Sequence, residues 1–100
     1  MKRQALTYLH VAQQLITRED LSIYYWSAQN ARAEIDFLVQ LSGEIIPIEV
    51  KAEENLQAKS LRVYYDKFQP KIAVRTSMSD YRKESWLENI PLYAILNFHR

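Results

Sequence analysis

The chain has 100 residues, a formal net charge of +1, one glycine and no cysteine. This length, without a Pro- or Gly-rich linker, predicts a single domain over residues 1–100, and the lack of cysteine excludes disulfides and thiolate metal sites and agrees with a cytoplasmic location. The near-zero charge excludes a broad electrostatic surface for nucleic acid, so any basic surface has to be local.

The first two predicted elements are a helix and a strand. Apolar residues at three- and four-residue steps predict an amphipathic helix that ends at a polar run, residues 17–20. These residues are Ala5, Leu6, Leu9, Ala12, Leu15 and Ile16. The helix is too polar for a signal peptide or a membrane span, so we expect no membrane partner. Residues 22–27 are rich in aromatic and β-branched side chains and predict a strand.

A β-hairpin is predicted next, with arms at residues 33–41 and 44–52 joined by a turn at Ser42 and Gly43. In this register, residues whose numbers sum to 85 face each other. One face then carries three apolar pairs, which are Ile35 with Val50, Phe37 with Ile48, and Val39 with Ile46. A slip of one residue would exchange the two faces, so burial of the apolar face fixes the register.

The other face of the hairpin carries two pairs of opposite charge and one pair of opposed carboxylates. They are Arg32 with Glu53, Glu34 with Lys51, and Asp36 with Glu49. Opposed carboxylates repel each other at about 5 Å, so a shared proton, the Lys51 ammonium or a divalent metal has to offset the repulsion of Asp36 and Glu49. Lys51 and Glu34 have a simpler interpretation as a surface salt bridge worth less than about 1 kcal/mol.

The second half predicts a crossover helix and two further strands. Apolar residues from Leu56 to Phe68 indicate a helix closed by Pro70, and residues 71–75 indicate a strand buried on both faces. A short helix is expected from Ser77 or Ser79 to Trp86, and a last strand at residues 92–96. The order α-β-β-β-α-β-(α)-β predicts an α/β fold with a mixed sheet flanked by helices.

Two segments carry a resemblance to a known family. They are Ala-Glu-Ile-Asp-Phe-Leu-Val at residues 33–39 and Ile-Pro-Ile-Glu-Val-Lys-Ala at residues 46–52, followed by Lys-Ser-Leu-Arg at 59–62. With the element order, they resemble the PD-(D/E)XK nuclease fold, which is restriction-endonuclease-like. Nearly the whole chain is similar to a narrower bacterial group, a domain of unknown function that follows an AAA+ ATPase module. The chain has no Gly-rich phosphate loop, so that module is not in this chain and becomes an implied partner.

The resemblance implies a metal-dependent nuclease acting on DNA or RNA, with Asp36, Glu49 and Lys51 as catalytic residues. Asp36, Glu49 and the backbone carbonyl of Val50 would hold Mg²⁺ or Mn²⁺, and Lys51 would orient the attacking water or balance charge on the phosphate oxygens.

The start of the second helix is where this fold often contacts the nucleic-acid backbone. The residues there are Lys59, Ser60 and Arg62. They fit phosphate binding or, alternatively, a solvated helix face.

The chain departs from the nuclease pattern in its first helix. Relatives tend to have an acidic residue there, and aligning on Val11 to Gln13 puts Tyr8 and Leu9 at the corresponding positions. A tyrosine at neutral pH does not replace a carboxylate ligand. The alternative is therefore a catalytically inactive module of the same fold for protein or nucleic-acid interaction. Such small domains often act as homodimers, although no periodic exposed apolar stripe marks a partner surface.

Overall fold

The computed structural model describes residues 3–28, 33–52 and 58–99. These residues form one mixed six-stranded sheet in the order β1-β2-β3-β4-β6-β5, in which β4 runs parallel to both β3 and β6. The elements are α1 (Arg3–Ile16), β1 (Ser22–Ser27), β2 (Glu34–Leu41), β3 (Glu44–Lys51), α2 (Lys59–Phe68), β4 (Val74–Ser77), β5 (Arg82–Lys83), β6 (Glu88–Pro91) and a 3₁₀ helix (Leu92–Asn97). The predicted α/β class with a mixed sheet is confirmed.

Helix α1 and the 3₁₀ helix cover one face of the sheet. Val11 and Leu15 of α1 and Ile95 of the 3₁₀ helix are fully buried in one apolar cluster with Phe37 and Ile48 from the hairpin. The apolar spacing of α1 therefore serves to bury one stripe of the helix against the sheet, as the sequence predicts. Within the described ranges, no helix is long and apolar enough to cross a membrane.

Helix α2 covers the other face. Its buried residues Leu61 and Tyr64 pack with Ile35, Ala73 and Leu87 in a second cluster. The helix ends at Gln69, which has a left-handed backbone with φ of 50° and directly precedes the proline that cannot continue a helix. The two clusters thus place the sheet between two helical layers, so the residues of β2 and β3 are largely enclosed.

The hairpin turn has the predicted two-residue form. Ser42 and Gly43 both have positive φ values, 53° and 82°, which is the backbone combination whose twist matches that of paired strands. Phe37 pairs with Ile48, and Val39 pairs with Ile46. The predicted register is confirmed for these two apolar pairs.

A β-bulge in β2 breaks the regular alternation at Asp36. Tyr24 of β1 pairs with Leu38, but Trp26 pairs with Ile35, so two residues of β2 lie against Tyr25 alone. The extra residue sends Ile35 to the α2 face, whereas Phe37 stays on the α1 face. The predicted pairing of Ile35 with Val50 on one face is therefore wrong, because these side chains lie in different clusters.

The second half of the chain differs from prediction in three places. The strand expected at residues 71–75 lies at Val74–Ser77. The short helix expected from Ser77 or Ser79 to Trp86 is absent from these described residues, and the segment between β4 and β6 is a loop containing β5. The backbone carbonyls of Ser79 and Asp80 accept hydrogen bonds from the amide nitrogen of Asn89, at 3.1 and 3.0 Å, and not from the N–H groups of a following helical turn.

The strand expected at residues 92–96 is also wrong. The strand is Glu88–Pro91, and the following apolar run turns into the 3₁₀ helix that buries Ile95.

Candidate functional site

Asp36 lies in the bulge, where its side chain replaces part of the β2–β3 ladder. The last backbone pair between these strands is Phe37 with Ile48. Beyond it, the backbone N–H of Val50 donates to Asp36 Oδ2 at 2.8 Å. Burial raises the pKa of Asp36 above its ordinary value, an effect opposed by the Val50 hydrogen bond and by the charge of Lys51. One carboxylate oxygen is thus fixed in place by the backbone.

Glu49 is the most unusual side chain of the site. It is only 6% exposed, and within the described part of the chain its Oε2 is a buried atom without a hydrogen-bond partner. Burial raises the pKa of Glu49 to about 7, while the charges of Lys51 and Arg75 lower it and that of Asp36 raises it. A buried oxygen without a partner costs about 1–3 kcal/mol. Glu49 therefore needs a proton or a cation.

Lys51 lies close enough to both acids for its charge to lower the pKa of Asp36 and of Glu49. Among the described residues it makes no ion pair within 4 Å, with Glu34 or any other acid. The predicted pairing of Glu34 with Lys51 is wrong, because the ladder between β2 and β3 ends at Phe37 and Ile48 and does not reach these two residues. The Lys51 ammonium therefore remains available to the acids.

The remaining charged pair of the predicted hairpin face, Arg32 with Glu53, lies outside the described residues.

A buried polar network on β4 and β6 adjoins Glu49, and the sequence did not reveal it. Arg75 lies beside Glu49 in the parallel β3–β4 register and is 3% exposed. Its Nε donates to Asn89 Oδ1 at 2.9 Å, and its guanidinium contacts Glu84 Oε2 at 2.7 Å. Ser77 Oγ donates to the same Asn89 oxygen at 2.8 Å. The only signal in the sequence was a set of polar residues inside strands otherwise suited to burial.

Tyr8, which the sequence resemblance aligns with an acid of the nuclease pattern, lies near Asp36. Its ring stacks on Phe37 with centroids 4.8 Å apart. Burial raises the pKa of Tyr8, and the hydrogen bond to Tyr25 and the negative charge of Asp36 add to the rise. Helix α1 therefore brings a neutral phenol to Asp36 instead of a third carboxylate. Across the described ranges, no group of three or more Asp, Glu or His side chains converges to hold a metal.

The residues present fit a hard cation with two protein carboxylates, because Mg²⁺ is usually bound by one or two carboxylates together with water and substrate phosphate. The free Oε2 of Glu49 is the atom that suits this role best. The carbonyl of Val50, the third predicted ligand, already accepts a 2.8 Å hydrogen bond from Gln4 Nε2. Only its second lone pair remains for a cation.

The predicted nucleic-acid contacts at the start of α2 have separate environments. The hydroxyl oxygen of Ser60 accepts a 3.3 Å hydrogen bond from the backbone N–H of Glu34 and so joins α2 to β2. Arg62 forms an ion pair with Asp66 at 3.0 Å and lies 5.2 Å above the Trp86 ring. Lys59 is exposed. Ser60 is the member of this set with a hydrogen bond to the site-bearing strand.

Comparison with known proteins yields one match. No curated protein and no solved structure matches the chain. A family model described as Domain of unknown function (DUF4143) matches residues 6–95, which include most of α1, the whole hairpin with Asp36, Glu49 and Lys51, and α2. The chain therefore belongs to the DUF4143 domain family.

Proposed function

We propose that this domain is a PD-(D/E)XK-like, restriction-endonuclease-like module that hydrolyses phosphodiester bonds in nucleic acid with Mg²⁺ or Mn²⁺. The observation that carries the proposal is the buried Oε2 of Glu49, which has no partner in the described residues and shares its surroundings with Asp36 and Lys51. A structural carboxylate would be exposed or fully hydrogen-bonded. An oxygen kept buried and unsatisfied is suited to a cation.

The chain's own residues divide the work in this proposal. Asp36 and Glu49 hold the cation, and the Val50 N–H fixes the Asp36 carboxylate before anything binds. Lys51 brings a positive charge to where negative charge grows on the phosphate oxygens, or orients the attacking water. A cation bound there would lower the pKa of water and polarise the phosphate. Preorganisation comes from the hairpin, because one turn positions all three side chains.

A second candidate function rests on Tyr8. Since α1 supplies a phenol and not an acid beside Asp36, the domain is alternatively a non-catalytic module for binding nucleic acid or protein. The resemblance to domains that follow AAA+ ATPase modules makes such an ATPase a candidate partner in either case, and a second copy of the chain is another. A cleavage assay separates the two functions.

The test is incubation of the full chain with plasmid, single-stranded DNA and RNA in Mn²⁺ and in Mg²⁺. Glu49→Gln and Lys51→Met each should lower the cleavage rate by about 100-fold or more, the usual effect of removing one charge-stabilising group. Glu44→Gln and Lys71→Met are matched controls: both lie at the far end of β3, in an exposed ion pair of 3.2 Å, and should leave the rate within about twofold.

Two results would contradict the nuclease proposal. Cleavage that persists in Glu49→Gln would belong to another protein in the preparation. No cleavage by the natural chain, together with no Mn²⁺ binding by calorimetry, would leave the interaction function.

A further inference from the structure

A cavity of about 400 Å³ opens beside Asp36, between β1, β2 and α1. Most of its lining side chains are aromatic or acidic, namely Tyr8, Tyr25, Trp26, Glu34 and Asp36. The volume lies within the range of about 300–1,000 Å³ that is usual for small-molecule sites. The cavity and the candidate cation site share Asp36, so a group held in the cavity is a direct neighbour of a phosphate at that site.

The aromatic wall of this cavity is both exposed and fixed. Tyr25 is 73% exposed, yet its hydroxyl is hydrogen-bonded to Tyr8, and its ring packs against Phe37 with centroids 6.4 Å apart. Tyr8, the hydrogen-bond partner of Tyr25, is itself stacked on Phe37. An exposed ring held by its neighbours is a ready platform for a second flat ring, because little side-chain freedom is lost on binding.

The charges of the cavity limit what enters it. Glu34 and Asp36 line one side, so a phosphate group is repelled from the interior. The same carboxylates accept hydrogen bonds from the amino and imino groups on the edge of a nucleobase. A flat, uncharged ring with hydrogen-bond donors on its edge matches both the aromatic wall and the acidic side.

We propose that this cavity receives an unpaired nucleobase next to the bound phosphate, so that the domain selects single-stranded nucleic acid over duplex. This inference rests on the proposed nuclease-like function, which puts a phosphate beside Asp36. A base inside a duplex has both faces stacked and its edge paired, and so cannot reach Tyr25 unless it is flipped out with loss of its stacking and pairing. A base in a single strand stacks on an aromatic side chain in a sequence-tolerant way.

The test is fluorescence anisotropy of the full chain in Ca²⁺, with a labelled 20-nucleotide single strand and a labelled blunt-ended duplex of the same length. Gels confirm that both probes stay intact. We expect the natural chain to bind the single strand about tenfold more tightly than the duplex. Tyr25→Ala should weaken single-strand binding about tenfold, the usual effect of losing one stacked base, and leave duplex binding within about twofold.

Two variants serve as matched controls. Tyr24→Ala removes the same side chain from the adjacent residue of β1, which is 50% exposed and pairs with Leu38, and it should leave both affinities unchanged. Tyr25→Phe keeps the ring and its packing on Phe37 but loses the hydrogen bond to Tyr8, so it should weaken single-strand binding much less than Tyr25→Ala does.

Equal binding of strand and duplex, or equal effects of Tyr25→Ala and Tyr24→Ala, would overturn the inference. If only the nuclease proposal fails, the natural chain will not cleave nucleic acid in Mn²⁺ but will still bind the single strand more tightly than the duplex in the anisotropy assay.

Discussion

Two buried polar clusters lie side by side in the sheet, one around Asn89 and one around Asp36 and Glu49, and they differ in whether their polar atoms are hydrogen-bonded. Around Asn89, the carboxamide oxygen accepts from Arg75 and Ser77, and the amide nitrogen donates to two carbonyls. Around Asp36, the neighbouring Glu49 keeps a buried oxygen without a partner in the described structure. The first arrangement stabilises the fold, whereas the second costs folding free energy, which is characteristic of a site kept for binding.

The contrast between the two clusters requires that the hydrogen-bonded cluster around Asn89 contributes substantially to the free energy of unfolding. Arg75→Met should lower the free energy of unfolding by about 3 kcal/mol or more, because it removes the two hydrogen bonds of a buried guanidinium to Asn89 and Glu84, each worth about 1.5–3 kcal/mol. Urea unfolding followed by circular dichroism measures this change.

Arg82→Met is the matched control for Arg75, since Arg82 contacts the same Glu84 oxygen at 3.2 Å from a side chain 56% exposed. It should cost less than about 1 kcal/mol. An equal decrease in the free energy of unfolding in the two variants would show that burial does not determine how much the Arg75 contacts stabilise the fold.

Because burying the ionised Glu49 carboxylate costs folding free energy, the stability of the protein should depend on pH. The Glu49 carboxyl stays protonated up to about pH 7 in the folded protein, whereas in the unfolded chain it loses its proton near pH 4.5. Its contribution to folding is therefore fully present below pH 4.5 and is lost as the pH rises through 7. At 1.36 kcal/mol per pH unit, the total is about 3 kcal/mol.

Glu49→Gln cannot ionise, so relative to the natural chain it should gain stability between pH 4.5 and 8. Urea midpoints across this range measure the difference, with Glu44→Gln as control. A constant difference between natural chain and Glu49→Gln at every pH would mean that Glu49 has an ordinary pKa in the fold.

A smaller effect is expected at Tyr8, where the proposed nuclease function would call for a third acid. Tyr8→Glu should tighten Mn²⁺ binding about tenfold at pH 8, because a further carboxylate beside Asp36 is an added hard ligand. Calorimetry measures the dissociation constant, and Tyr8→Gln, which also loses the stacking on Phe37 but adds no charge, is the control. Identical affinities for the two variants would place residue 8 outside the reach of a cation at Asp36.

Local patterns were enough to predict the first half of the fold. Apolar spacing predicts α1, and the two-residue turn with its flanking apolar residues predicts the hairpin register through Phe37 and Ile48. The bulge at Asp36 was not predictable, because it depends on how β1 pairs with β2. Its consequence is large: it separates Ile35 from Phe37 and turns Asp36 toward the N–H of Val50.

The second half was harder for a different reason. Residues 90–96 form an apolar run without clear periodicity, and such runs do not distinguish a strand from a buried helical turn. The candidate acids and Lys51 were identified from their spacing, but the burial of Glu49 beside Arg75 follows from the parallel pairing of β3 with β4. Contacts between strands distant in sequence have no local signature.

Gln4 joins the first turn of α1 to the end of β3. Its carboxamide donates to the carbonyl of Val50 and accepts from the N–H of Ala52, at 2.8 and 2.9 Å, as a residue of an adjacent strand would. The strand that carries Glu49 and Lys51 is thus mechanically tethered to the helix. A displacement of the start of α1 would have to break these two hydrogen bonds or move Val50, the residue between Glu49 and Lys51.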